Sequence, residues 1–224
     1  MVNLKELRGF TLAEVLITLV IIGVIAAMTI PTLINKTNNQ EYASKLKKVY
    51  STLAQATNRI IAEEGNPRAD IGGWANNVDN IFSLYKKHLV KAKECGSDTT
   101  CFDHEVKTFD DKTYKLDPNS TNWRKLILAD GTELSVDNNM MGGRCNWNID
   151  GLHVCVRMIV DINGHKKPNK LGRDIFQLYI DENQGLQPAG CGFLDRDDCT
   201  TAGDAQEKGV YCACRVLHDG AMNY

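Results

Sequence analysis

The chain has 224 residues, with 26 basic and 28 acidic side chains and a net charge of −2 at neutral pH. That length accommodates one domain or two small ones, and the near balance of charge excludes a bulk electrostatic attraction to nucleic acid. Hydrophobic residues make up 43%, which is ordinary for a globular chain, but part of them sits in one run near the amino terminus, so the remainder is only moderately apolar.

The first nine residues, Met1 to Gly9, form a short leader with Lys5, Glu6 and Arg8. An apolar run follows at once, from Phe10 to Pro31, interrupted by a single acid, Glu14. A carboxylate inside a bilayer helix costs roughly 2.5–3.5 kcal/mol on insertion scales, so Glu14 requires a partner. A secretory signal cut after Ala27 would explain the basic leader and the small residues Ala26 and Ala27, but not Glu14 or the helical pattern beyond the cut. A simple single-pass anchor fits the length, which approaches the roughly 20 residues needed to span, but leaves Gly9 and Glu14 without a purpose. Basic residues do not decide orientation, because Lys5 and Arg8 flank one side and Lys36, Lys45, Lys47 and Lys48 the other.

The spacing of Gly9, Phe10, Thr11, Leu12, Glu14 and Pro31 resembles the prepilin family, the type IV pilins and the pseudopilins of type II secretion systems. The resemblance covers the segment up to about residue 55. It implies that a membrane-embedded prepilin peptidase cuts between Gly9 and Phe10 and methylates the new amino terminus at Phe10. It also implies that Glu14 pairs with the terminal amine of a neighbouring subunit, as two ionised groups in a low-dielectric filament core should. Loss of Lys5, Arg8 and Glu6 with the leader would change 26 basic and 28 acidic residues to 24 and 27, a net charge of −3. The resemblance places the leader in the cytoplasm and implies one pass through the inner (cytoplasmic) membrane. The head would lie outside the cytoplasm and later in an extracytoplasmic filament.

Beyond Pro31 the pattern stays helical. Tyr42, Leu46, Val49, Tyr50, Leu53, Ala56, Ile60 and Ile61 recur at steps of three and four on one face. Glu63-Glu64-Gly65-Asn66-Pro67 is a stop, with Gly65 suited to a left-handed cap and Pro67 blocking continuation. Residues 10–64 would extend roughly 80 Å if helical throughout. Pro31 removes a hydrogen-bond donor and is expected to kink or locally unwind the helix. The organisation expected is therefore a leader over 1–9, a long helix over 10–64 with its transmembrane and filament-core part over 10–30, and a globular head over 65–224.

In the head, residues 78–93 predict a short helix, with Ile81, Leu84, Tyr85, His88 and Leu89 on one face. Strands are predicted over 124–129 and 132–136, flanking the hairpin dipeptide Asp130-Gly131, and over 154–160 and 175–180. Residues 210–216 read as a terminal strand or a short helix. The fold class expected is α+β and pilin-like, the long helix packed against an antiparallel sheet.

All eight cysteines lie beyond the apolar run. An even count in the part expected outside the cytoplasm reads as disulfides. Four pairs allow 105 connectivities. Local pairs Cys95–Cys101 and Cys145–Cys155 are the simplest, with Cys212 and Cys214 reaching back to Cys191 and Cys199. No Cys-x-x-Cys knuckle occurs and the five histidines are scattered, which argues against zinc. The loop from Asp161 to Asp174 resembles a segment of pseudopilin-like proteins. Its oxygen-bearing residues Asp161, Asn163, Asn169 and Asp174 are candidates for calcium, but the favoured reading is that they build turns. By analogy with pilins, residues 190–201 form an exposed, stapled loop.

No Gly-x-Ser-x-Gly, His-Glu-x-x-His or phosphate loop occurs, and His88, His104, His153, His165 and His218 show no partner pattern. The expectation is a structural filament subunit and not an enzyme, with no cofactor. Its partners would be other pilin or pseudopilin subunits, prepilin peptidase and an inner-membrane assembly platform, and no nucleic acid. The alternative is a minor pilin acting as a tip binding module, for adhesion, DNA uptake or cargo recognition. For that reading the basic cluster Lys166, Lys167, Lys170 and Arg173 is the feature to examine, although a solvated loop accounts for it.

Overall fold

A computed structural model describes residues 10–68, 72–137, 144–149, 151–191, 199–201 and 206–224. The leader, including Gly9, lies outside the described residues. The chain divides into two compact units, one ending at Asn39 and one comprising Gln40–Tyr224.

From Leu12 onward the first unit belongs to helix α1 (Leu12–Glu64). Its large apolar side chains are exposed all round, from Val15 and Leu16 to Leu33 and Ile34. An 18-residue window of α1 has a mean hydropathy of 2.5 and no buried residue. Pro31 sits inside the helix and does not end it, so only one donor is lost there.

In the second unit the rest of α1 buries Ala43, Leu46, Val49, Leu53, Ala56, Thr57 and Ile60, the stripe that the three-and-four spacing predicts. Tyr42, Tyr50 and Ile61 flank it half-buried. Fully burying a leucine or isoleucine contributes about 1.5–3 kcal/mol, so this stripe is a main source of stability. The helix ends as its stop signal predicts. Gly65 takes φ +82° and its N–H donates to the carbonyl of Ile61 at 2.9 Å.

Helix α2 (Val78–His88) starts at Asn77, whose side chain accepts from the N–H of Asn80 at 2.8 Å. It is shorter than predicted. Leu89 is already extended, and Lys91–Gly96 forms strand β1 instead of a last helical turn. The physical reason is an available sheet edge: β1 pairs antiparallel with β2 (Arg124–Leu128), and this ladder of backbone bonds overrides the helical propensity of Lys91-Ala92-Lys93-Glu94.

Strand β2 pairs with β3 (Glu133–Asp137) through the hairpin predicted at Asp130-Gly131. Gly131 takes φ +85°, and the N–H of Leu128 donates to the carbonyl of Thr132 at 2.8 Å. The remaining strands are β4 (Trp147–Ile149), β5 (Leu152–Asp161), β6 (Ile175–Asp181) and β7 (Gly185–Pro188). The order across the sheet is β1-β2-β3-β5-β6-β7, with β4 added on β5, and every pairing is antiparallel. Of the two readings for residues 210–216, the short helix is the one observed, as α3 (Cys212–Asp219). The fold is thus α+β and pilin-like.

The two faces of the sheet differ. Leu126, Leu134, Val136, Val156, Met158, Val160, Phe176 and Leu178 share one core with α1 and α2. The opposite face carries Glu133, Ser135, Asp137, Arg157, Asp161 and Gln177, all buried. The period-two alternation of strands puts these residues together. A second core of Phe102, Val106, Tyr114, Trp123, Ile159, Leu171, Ile175 and Val210 covers part of that face. Four disulfides join Cys95–Cys101, Cys145–Cys155, Cys191–Cys214 and Cys199–Cys212.

Candidate functional site

The amino-terminal residues form a defined start to α1. The Thr11 hydroxyl accepts from the N–H of Glu14 at 3.2 Å. Oε2 of Glu14 accepts in return from the N–H and from the hydroxyl of Thr11, each at 2.8 Å. This is a reciprocal capping box, Thr-x-x-Glu. The acid that looks isolated in the sequence therefore has an intrachain partner. The capping-box spacing is present in Thr11-Leu12-Ala13-Glu14, embedded in a run whose apolar character is that of a membrane span. Phe10 precedes the box and is 87% exposed.

The loop between β5 and β6 is built by its own aspartates. Asp174 accepts from the backbone N–H groups of Lys170 at 2.7 Å and Asn169 at 2.8 Å, and from Nδ2 of Asn163 at 3.1 Å. Oδ1 of Asp161 accepts from the N–H of Asn163 at 3.0 Å. Burial pushes the Asp174 carboxyl up, and its backbone donors oppose that rise. These contacts are those of the turn-building reading of the four calcium candidates. In the basic cluster, Lys170 pairs with Asp111 at 2.8 Å and the guanidinium of Arg173 lies 6.0 Å over the ring of Phe109, while Lys166 and Lys167 are exposed.

The histidines are not all solitary. His104 and His165, 61 positions apart in sequence, place their Nδ1 atoms 3.3 Å from each other. Nε2 of His104 lies 2.9 Å from Oδ2 of Asp161, and Nε2 of His165 lies 3.3 Å from Oε1 of Glu133. Asp103 reaches Nδ1 of His165 at 3.1 Å. Burial raises the Asp161 carboxyl to about 6, against the lowering effect of the His104 contact. Burial likewise raises Glu133, while the charges of His165 and His104 lower it. No local motif announces this cluster, because the β3–β5 pairing and the 161–174 loop bring its members together.

At the carboxy-terminal end, Cys199–Cys212 is nested within Cys191–Cys214, and both bridges anchor α3. Residues 192–198 of the expected exposed loop lie outside the described residues.

The prokaryotic N-terminal methylation motif matches residues 7–30, so the chain carries the prepilin-type cleavage and methylation motif of type IV pilins and pseudopilins. With its apolar helix, this makes it a membrane-anchored, pilin-like protein, and the motif is that of structural subunits which assemble with other pilins and membrane machinery. No curated protein and no solved structure matches the chain. A second family model, described as a family of unknown function (DUF6613), covers residues 32–187, and the chain belongs to that family.

Proposed function

We propose that this chain is a structural subunit of a type IV pilus or a type II secretion pseudopilus. Prepilin peptidase cuts between Gly9 and Phe10 and methylates the Phe10 amine. The subunit waits in the inner membrane, held by the apolar half of α1, with its head outside the cytoplasm. Subunits then leave the bilayer as their helices pack, and Glu14 pairs with the amine of the next subunit.

The observation that carries this reading is the motif at residues 7–30, followed by a helix whose apolar side chains are exposed. Such a surface needs lipid or copies of itself to cover it. The Thr11–Glu14 box adds a mechanism, because it holds the carboxylate in one orientation at the helix start. The test is mass spectrometry of the chain from cells with prepilin peptidase. A mature protein beginning with N-methylated Phe10 is expected, and an intact leader or a cut after Ala27 would refute the reading. Glu14→Ala is expected to be cleaved normally and to enter filaments poorly, and assembly at the wild-type level would sink the pairing.

A further inference from the structure

Glu133 and Asp161 are direct partners across the β3–β5 ladder, and both are essentially buried. Like charges directly opposite each other destabilise a sheet, and burying a carboxylate costs several kcal/mol unless a positive charge compensates. Four residues along the same ladder, Asp137 faces Arg157 and the problem is solved by an ion pair. At Glu133 and Asp161 the groups that face the acids are imidazoles, His104 and His165. Oε2 of Glu133, Oδ2 of Asp161 and Nε2 of His104 are buried with no hydrogen-bond partner among the described residues. Asp161 and His104 come to 2.9 Å without aligning as donor and acceptor.

We propose that Asp103, His104 and His165 bind one divalent transition-metal ion of the zinc type, through Oδ1 of Asp103 and the Nδ1 atoms of the two histidines. The spacings fit. Nδ1 of His165 is 3.3 Å from Nδ1 of His104 and 3.1 Å from Oδ1 of Asp103. Ligands about 2.0–2.1 Å from a tetrahedral zinc ion stand roughly 3.3 Å apart. Each imidazole has its other nitrogen close to a buried carboxylate, Nε2 of His104 at 2.9 Å from Asp161 and Nε2 of His165 at 3.3 Å from Glu133, so that a small rotation of the rings on metal binding would align them as donor and acceptor. That is how protein carboxylates orient metal-bound histidines and raise their basicity. Asp161 and Glu133 are thus positioning residues. Oε2 of Glu133, 3.8 Å from Nδ1 of His104, offers a further oxygen for a fourth position. A dication also offsets the three carboxylates gathered against two imidazoles.

The scaffold is tied down on all sides. The Cys95–Cys101 bridge fixes the segment that carries Asp103 and His104, and the Phe102 ring stacks on His104 at 4.8 Å between centroids. Gly164, next to His165, has φ +64°, and a Cβ there would meet the carbonyl of Gly131 at 2.9 Å. The floor of the site is buried, whereas Asp103 and His165 are more than half exposed, which leaves an entry path.

The test uses the full chain in detergent micelles, stripped with EDTA and dialysed, then titrated with zinc chloride against a chromophoric chelator. About one equivalent is expected to bind, with affinity falling at least 100-fold in His165→Ala and in His104→Ala. Asp161→Asn should weaken binding about 10- to 100-fold, and His153→Ala, outside the cluster, should leave it unchanged. His104→Ala removes a mostly buried ring, so should it misfold, the exposed His165→Ala decides the matter. No zinc bound by the wild type would overturn the proposal. So would equal binding by His165→Ala, or an equal loss in His153→Ala.

Discussion

Arg157 and Asp137 face each other across the β3–β5 ladder, and Nη2 of Arg157 donates to Oδ2 of Asp137 at 2.7 Å. Both side chains are at most 5% exposed, and the guanidinium lies 5.1 Å from the ring centroid of Trp123 and 5.6 Å from that of Trp147. Removing one partner leaves the other's buried charge less well compensated. Arg157→Met is expected to cost about 3–5 kcal/mol, and adding Asp137→Leu should recover a large part of that. Urea unfolding of the full chain in micelles measures both, and a double variant as weak as Arg157→Met would mean that lost ring packing, not charge, sets the cost.

Gly190 and Gly65 separate two reasons for glycine. Both have φ in the left-handed region, at +93° and +82°. A Cβ at Gly65 meets nothing within 4 Å, whereas one at Gly190 would lie 2.1 Å from the carbonyl oxygen of Tyr211. Gly65→Ala should cost about 1–2 kcal/mol from backbone strain alone. Gly190→Ala must also displace the chain leading into α3, so it is expected to be the more damaging of the two. Thermal unfolding ranks them, and equal losses would contradict the close approach.

Alkaline pH should weaken the fold through buried phenols. Burial pushes Tyr85, Tyr179 and Tyr224 strongly upward, and Tyr42 and Tyr50 less so. The hydroxyl of Tyr85 is also held 2.5 Å from that of Thr57. A phenol raised in the folded state keeps its proton while the unfolded chain loses it above about pH 10. Stability is therefore fully present below pH 10 and falls as the pH rises further. Absorbance at the phenolate band should show most of the seven tyrosines ionising late and together with unfolding. Early, independent ionisation of all seven would count against their burial.

The nested bridges should not act additively. Cys199–Cys212 closes a separation of 13 residues and Cys191–Cys214 one of 23. Opening either alone leaves the other to hold α3 near the sheet. Each single loss is expected to cost about 2–4 kcal/mol or less, because the surviving bridge still constrains the unfolded chain. Loss of both should exceed the sum of the two. Double-alanine variants of each pair and of both, compared by urea unfolding, read this directly.

The long helix and its stop were legible because they rest on local rules: a three-and-four spacing from Leu46 to Ile60, and a glycine-proline break at Gly65 and Pro67. The Asp130-Gly131 hairpin was legible for the same reason. Residues 89–93 were not, since the end of α2 is set by the sheet edge that β1 joins. The 210–216 run left strand and helix open. From Cys212 it becomes α3, a short amphipathic helix whose Cys212, Ala213 and Val216 are buried against the rest of the head.

What the sequence by itself determined is the part carried by consecutive residues: the prepilin-type motif, the apolar helix, the even cysteine count and the turn-forming loop from Asp161 to Asp174. What only the tertiary structure decided is which distant residues meet. The pairing of Glu133 with Asp161 and the facing of Arg157 and Asp137 follow from strand register, and two loops distant in sequence bring His104 to His165. Register is fixed by the alternation of apolar and polar faces over the whole sheet, and no single stretch of sequence contains it.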